Sequence, residues 1–172
     1  MLKILLVLAL VILAVLALAA IRPARFTVQR SITIQAPPEK VFPFLNDLHR
    51  WPEWSDTDPA NAIQRSYSGQ AAGKGAICDW VGAGNAGKGR MEIVDSSPAE
   101  VRLQVDWVRP FAARNFNTFM LAPEGQGTRV DWVLDSQNVF MLKIMTLFVS
   151  PDRLMGSHLE AGLASLKAAA EK

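Results

Sequence analysis

One cysteine, two histidines and one tyrosine in 172 residues leave little from which to build a reactive centre. Cys78 has no partner thiol in the chain, so an internal disulfide is excluded. His49 and His158 lie far apart, and neither stands at helical or hairpin spacing from another His or Cys, so no metal and no other cofactor is expected. No G-x-S-x-G elbow occurs, and the lone thiol reads as a small packing hydrophobe. Basic charge is scarce as well. Setting aside Lys3, Arg22 and Arg25 leaves 15 Lys and Arg against 16 Asp and Glu from residue 26 onward. A nucleic-acid binder needs a basic stripe to neutralise phosphates, and that class is excluded.

What the chain does have begins at its first turn. Residues 4 to 21 are 18 consecutive apolar residues, with Lys3 before them and Arg22 and Arg25 after. As a helix that run spans roughly 27 Å, close to the ~30 Å hydrocarbon core of a bilayer. Ala17-Leu18-Ala19 offers the alternative of a cleaved signal, but the run exceeds a usual signal core and the polar region before a cut is nearly missing. The expected organisation is a transmembrane anchor over 1–22, a basic junction over 23–25 and one domain over 26–172. This predicts a single-pass protein of a bacterial-type inner membrane. The side stays open, because Arg22, Arg25 and Arg30 favour a cytoplasmic domain while the short N-terminus favours export.

The stretch GAGNAGKG at 82–89 satisfies G-x-G-x-x-G and nearly satisfies a phosphate-binding P-loop. Both motifs must open a helix whose N-terminal amides meet the phosphates. Here GRMEIVDS follows at once with strand alternation, and Gly89 stands where a P-loop needs Ser or Thr. The stretch reads as a hairpin turn, and no nucleotide is expected.

FTVQRSITIQ (26–35) reads as a strand, followed by a short helix entered through Pro37 and Pro38, with Val41, Phe42 and Leu45 on its apolar face. HRWPEWSDTDP (49–59) reads as a helical turn and a loop. Six more alternating runs follow, at 62–68, 76–82, 89–96, 100–108, 115–121 and 128–135, joined by short turns as in an antiparallel meander. One face collects Met91, Ile93, Leu103, Val105, Trp107, Phe119, Val130 and Trp132. The other collects Arg90, Glu92, Arg102, Asp106, Arg129 and Asp131, so one side is wet and the other needs a cover. After Pro151, with Ser150 as N-cap, Met155, Leu159, Leu163, Leu166 and Ala170 recur at helical spacing and supply it. The fold class is α+β: a curved antiparallel sheet of about seven strands wrapped on the last helix, with two short helices after the first strand.

Several segments carry a resemblance: the IQAPPEKVF join at 34–42, the Trp51 and Trp54 pair, SGQAAGKGAICDWVG at 68–82, and GTRVDWVLD at 127–135 before the terminal helix. Together they resemble the START-like (SRPBCC, helix-grip) superfamily, in its polyketide cyclase/dehydrase and lipid transport branch. The resemblance implies an elongated apolar cavity between sheet and long helix that holds a lipid, sterol or polyketide-like molecule.

Trp51, Trp54, Trp80, Trp107 and Trp132 carry the apolar area a cavity wall requires. Met91, Phe119, Met155 and Leu159 are expected to line the cavity too, the methionines as adaptable groups, and His158 to border it. Asp79, sharing a strand face with Ile77 and Val81, and Asn117, sharing one with Phe119, are candidates to orient a ligand. His158 on the terminal helix is the first candidate for proton transfer, with Asp79 second. The expected function is a membrane-anchored carrier of a hydrophobic small molecule or lipid. A cyclase- or dehydrase-type enzyme is the rival and a protein-interaction module a third class. VFMLKIMTLFV (139–149) is expected at an edge of the core, the alternative being a lid on the membrane surface.

Overall fold

The computed structural model describes residues 1–55, 63–83, 86–109 and 112–172. The loop expected over 56–59, residue 62 of the second run, Gly84 and Asn85 of the glycine-rich stretch, and the 110–111 part of the turn before the sixth strand lie outside the described residues.

Helix α1 (Leu2–Ala20) precedes strand β1 (Arg25–Ile34), which leads into α2 (Pro38–Asn46) and a single 3-10 turn at Trp51–Glu53. Strands β2 (Ile63–Gly69), β3 (Ala76–Gly82), β4 (Lys88–Ser97), β5 (Glu100–Arg109), β6 (Ala113–Glu124) and β7 (Gly127–Gln137) follow, then α3 (Phe140–Met145) and α4 (Pro151–Ala170). All seven strands pair antiparallel in the order β1-β7-β6-β5-β4-β3-β2, so six form the expected meander and β1 closes against the last of them. Register shifts at Lys88/Gly89 and Ile93/Asp95 bend the β4–β5 pair, as bulges do.

Helix α4 starts at Ser150, whose hydroxyl accepts from the Arg153 N–H at 3.2 Å. It runs beside β1, tied by Arg30 to Asp152 (2.7 Å) and Glu160 (2.5 Å) and by Lys167 Nζ donating to the Thr33 carbonyl (2.8 Å). Its buried stripe of Leu159, Leu163, Leu166 and Ala170 meets Ile34, Ile93, Val101, Leu103, Phe119 and Val130 in the core. The α2 face differs slightly from expectation: Phe44 is buried with Val41 and Leu45, and Phe42 only partly.

One expectation is overturned. No residue of α3 is buried, and Phe140, Met141, Met145, Phe148 and Val149 are exposed. The segment is therefore outside the core, because the sheet's inner face is already covered by α4 and α2, and α3 packs on α1 instead.

The outer face is wet, with ion pairs Arg90–Asp79 (2.8 Å), Arg114–Asp106 (2.6 Å) and Arg129–Asp131 (3.0 Å). Arg129, with a further hydrogen bond from Ser31, holds the Asp131 carboxyl below its usual range. Burial alone would raise Asp106, but hydrogen bonds from Arg114 and Gln104 outweigh it and leave that carboxyl low as well. Folding therefore gains from both carboxylates above their ordinary value of about 3.9, and that gain disappears as pH falls through the lower folded values. Urea midpoints should fall with acidification below about pH 4, and a flat profile there would contradict the pairing. At neutral pH, Leu163→Ala is expected to cost about 2–5 kcal/mol and Arg129→Ala less than about 1 kcal/mol. Equal losses in the same denaturation series would contradict the placement of the core.

Candidate functional site

The indole N–H is the one polar atom of a tryptophan, and its hydrogen bond fixes where the apolar faces point. Trp80 Nε1 donates to the Ala86 carbonyl at 3.0 Å, Trp132 Nε1 to Asn117 Oδ1 at 2.8 Å, and Trp54 Nε1 to the Phe44 carbonyl at 3.0 Å. Asn115 suits its neighbours with its amide oxygen accepting from Trp107 Nε1 at 3.2 Å and its nitrogen donating to Ser136 Oγ at 2.7 Å. With their N–H groups satisfied by the protein, these rings turn hydrocarbon toward the space between sheet and helix.

The glycine-rich stretch builds part of that wall. Gly82 N–H donates to the Gly87 carbonyl at 2.7 Å, and Gly87 takes φ +63°, closing a hairpin between β3 and β4. Gly89 pairs with Trp80 across the hairpin, and any β carbon there would run into the Trp80 ring and the Asp106 carbonyl. The glycine thus gives the indole a flat bed. Trp107 meets Trp80 edge to face at 5.1 Å. On the other side Trp51, Trp54, Phe119 and Trp132 pack at 4.4 to 6.0 Å. Gly162 lets α4 approach Trp132, since a β carbon there would lie 2.7 Å from the ring.

Between these groups lies a cavity of about 520 Å³. Ten of the twelve expected lining residues border it: Trp51, Trp54, Trp80, Met91, Trp107, Asn117, Trp132, Met155, His158 and Leu159. Two do not. Ala76, Cys78 and Trp80 are the buried positions of β3, so Asp79 faces out and pairs with Arg90. Ile77 and Val81 had suggested the opposite, but Val81 is 43% exposed; a carboxylate is far cheaper to keep on the wet face than in an apolar cavity. Phe119 is fully buried and supports Trp54 and Trp132 from behind. Along β6 the inward row passes from the cavity at Asn115 and Asn117 into packed core at Phe119 and Leu121.

Val105, Asn115 and Leu134 also line the cavity, and each lies two residues from an expected lining residue on the same strand, so alternation carried the signal. Ser55, Ile63, Arg65, Ala86 and Gly162 complete the wall. Arg65 had no such signal, because the second run has a polar look on both faces. His158 stands at the rim, exposed, its ring 6.3 Å from Trp132. Burial pushes the Cys78 thiol up to about 11, so it stays protonated and inert at neutral pH. Among the described residues no group of three His, Cys, Asp or Glu side chains gathers as a metal would require.

The geometry is that of a helix closed over an apolar hollow in a bent sheet, and residues 25–171 match the family model described as polyketide cyclase/dehydrase and lipid transport. The chain belongs to this family. Solved structures share the START-like, helix-grip fold at low identity. A protein from Rhizobium leguminosarum aligns with TM-score 0.62 at 14% identity over 86% of this chain and 95% of its own. One from Chromobacterium violaceum gives 0.61 at 16% over 85% and 97%. Norcoclaurine synthase from Thalictrum flavum, in complex with dopamine and hydroxybenzaldehyde, gives 0.61 at 11% over 84% and 85%. No curated protein matches the sequence.

Gly89→Ala is expected to cost about 1–3 kcal/mol by overpacking and to change the near-ultraviolet circular dichroism of Trp80. Unaltered stability and spectrum would contradict the flat bed beneath the indole.

Proposed function

We propose that this protein is a membrane-anchored binding domain that takes a hydrophobic small molecule or single-chain lipid into the cavity and shelters it from water. The observation that carries the reading is the hollow itself. An interaction module of this fold would have a filled interior, whereas this chain keeps a cavity of about 520 Å³ walled by tryptophan, methionine and leucine. That volume lies in the lower half of the ~300–1,000 Å³ range of small-molecule pockets. It suits one acyl chain or a fused-ring molecule and is too small to enclose a two-chain phospholipid whole. A few polar groups, Asn115, Asn117 and Arg65, border it, enough to orient a ligand with one polar end.

Helix α1 is long and apolar enough to cross a membrane. As an anchor it confines the cavity to the bilayer surface and raises the effective concentration of membrane-dissolved ligand. The family's description names cyclases and dehydrases together with lipid transport, and its lipid-transport part supports a carrier of this kind. The two groups first considered for chemistry give little support to the enzyme reading, since Asp79 is on the wet face and His158 is exposed at the rim.

A panel of fatty acids, sterols and polyketide-like aromatics, titrated against the full chain in mild detergent, tests the proposal through the native tryptophans. A true ligand quenches or shifts their emission and, at about a hundred times its dissociation constant, stabilises the fold by ~2.7 kcal/mol. Filling the hollow with Val105→Trp or Leu134→Trp should weaken that ligand by about tenfold or more while the protein stays folded. Undiminished binding in both variants would place the ligand elsewhere and sink the reading.

A further inference from the structure

The end of the sheet that carries the cavity is also the end at which the chain leaves α1. β1 begins there at Arg25 and pairs with Gln137, the last residue of β7. Moving across the sheet, Asn115 of β6, Trp107 of β5, Lys88 of β4 and Ile63 of β2 close the same end. Asn115, Trp107 and Ile63 border the cavity and are only partly buried, as is Met155 one turn into α4. The opposite end, at Ile34, Val101 and Leu166, is solid core.

Only residues 21–24 separate α1 from β1, a span of at most about 17 Å. The link is also pinned: Asn138 N–H donates to the Ala24 carbonyl and Asn138 Nδ2 to the Pro23 carbonyl, both at 2.9 Å. Phe140 opens α3 two residues later, and α3 packs against α1. Phe148 is 76% and Phe140 51% exposed, with Met141, Met145 and Val149 beside them. Two phenylalanines, two methionines and a valine are thus exposed on or just after a helix that packs against the exposed α1. Arg22, Arg25, Lys143 and Arg153 lie in or close to the link and this segment along the chain, as cations that meet lipid phosphates do; of the carboxylates nearest to it in sequence, Asp152 is paired with Arg30 and Asp135 accepts from Thr27.

We propose that the Phe140–Val149 segment docks into the surface of the bilayer that α1 crosses, so that the rim of the cavity faces lipid and the ligand enters from the membrane without passing through water. The inference rests on the anchor and carrier reading above, and it names the bilayer as what covers this patch.

The test uses the full chain reconstituted in vesicles of mixed phosphatidylcholine and phosphatidylglycerol. Phe148→Cys or Met141→Cys carries a polarity-sensitive fluorophore, with Gln126→Cys at the far β6–β7 turn as the aqueous control; Cys78 is buried and stays unlabelled. Labels at 148 and 141 are expected to be quenched by lipids bearing an acyl-chain nitroxide and protected from iodide, with the reverse at 126. Iodide quenching at 148 equal to that at 126 would overturn the proposal. Protection from both quenchers would also overturn it, since a second copy or another protein would then be the cover.

The entry route is read with cis-parinaric acid, followed by energy transfer from the tryptophans. Phe148→Asp combined with Met141→Asp should slow transfer from vesicles about tenfold and leave the final bound amplitude unchanged when probe is delivered from albumin. Equal rates would overturn the membrane entry route. Failure of the unaltered chain to bind the probe from either source would count against the carrier reading, leaving the depth measurement to decide the docking.

Discussion

A straight helix and a bent sheet cannot touch along their whole length, and the rest of this structure follows from how that mismatch is distributed. α4 is in full contact at one end, where Leu163, Leu166 and Ala170 pack into Ile34, Val101, Leu103 and Val130. Toward its N-terminus the sheet falls away, helped by the register shifts in the β4–β5 pair, and rigid aromatic rings span the difference. An aliphatic core would collapse into such a gap by changing rotamers. Indoles held by hydrogen bonds to Ala86, Asn117 and Phe44 have much less freedom to do so, which is why the hollow persists at close-packed cost elsewhere.

The same constraint orders function. The packed end carries stability, and the end that cannot close carries the cavity, so the two requirements do not compete for the same residues. The chain joins the apolar helix α1 at the open end, through a link of four residues secured by Asn138. The apolar α3 segment lies there too, exposed to whatever surrounds α1. Solid core lies at the end of the sheet away from α1 and the hollow at the end next to it; with α1 in a bilayer, as proposed, that arrangement suits exchange of a water-insoluble molecule with the membrane.

Much of this was legible in the residues. Period-two alternation placed every strand of the meander and assigned Met91, Val105, Trp107 and Trp132 to the inner face, because on those strands the other face is charged. It failed on β3, where apolar residues occupy both faces: Ile77 and Val81 outvoted Cys78 and Trp80 in the reading of Asp79, although adjacent residues cannot both point inward. Phe119 was read as lining together with Asn117 on the inner face of its strand, and only the tertiary fit shows where along β6 the hollow ends and the core begins. Arg65 was missed because a cation in a polar-looking strand gives no local sign of facing a cavity. The 139–149 segment was read inward on hydrophobicity alone, which reports dislike of water without saying whether protein or lipid replaces it.

The central claim is that this hollow holds a hydrophobic guest, and native mass spectrometry of the full chain, extracted gently from its own membranes, tests it most directly. The account predicts a discrete mass excess matching one small hydrophobic molecule per chain, which disappears when Trp80→Arg or Trp132→Arg sets a charge into the wall. A bare protein mass from several gentle extractions, with no guest recovered by organic extraction of the same sample, would contradict it.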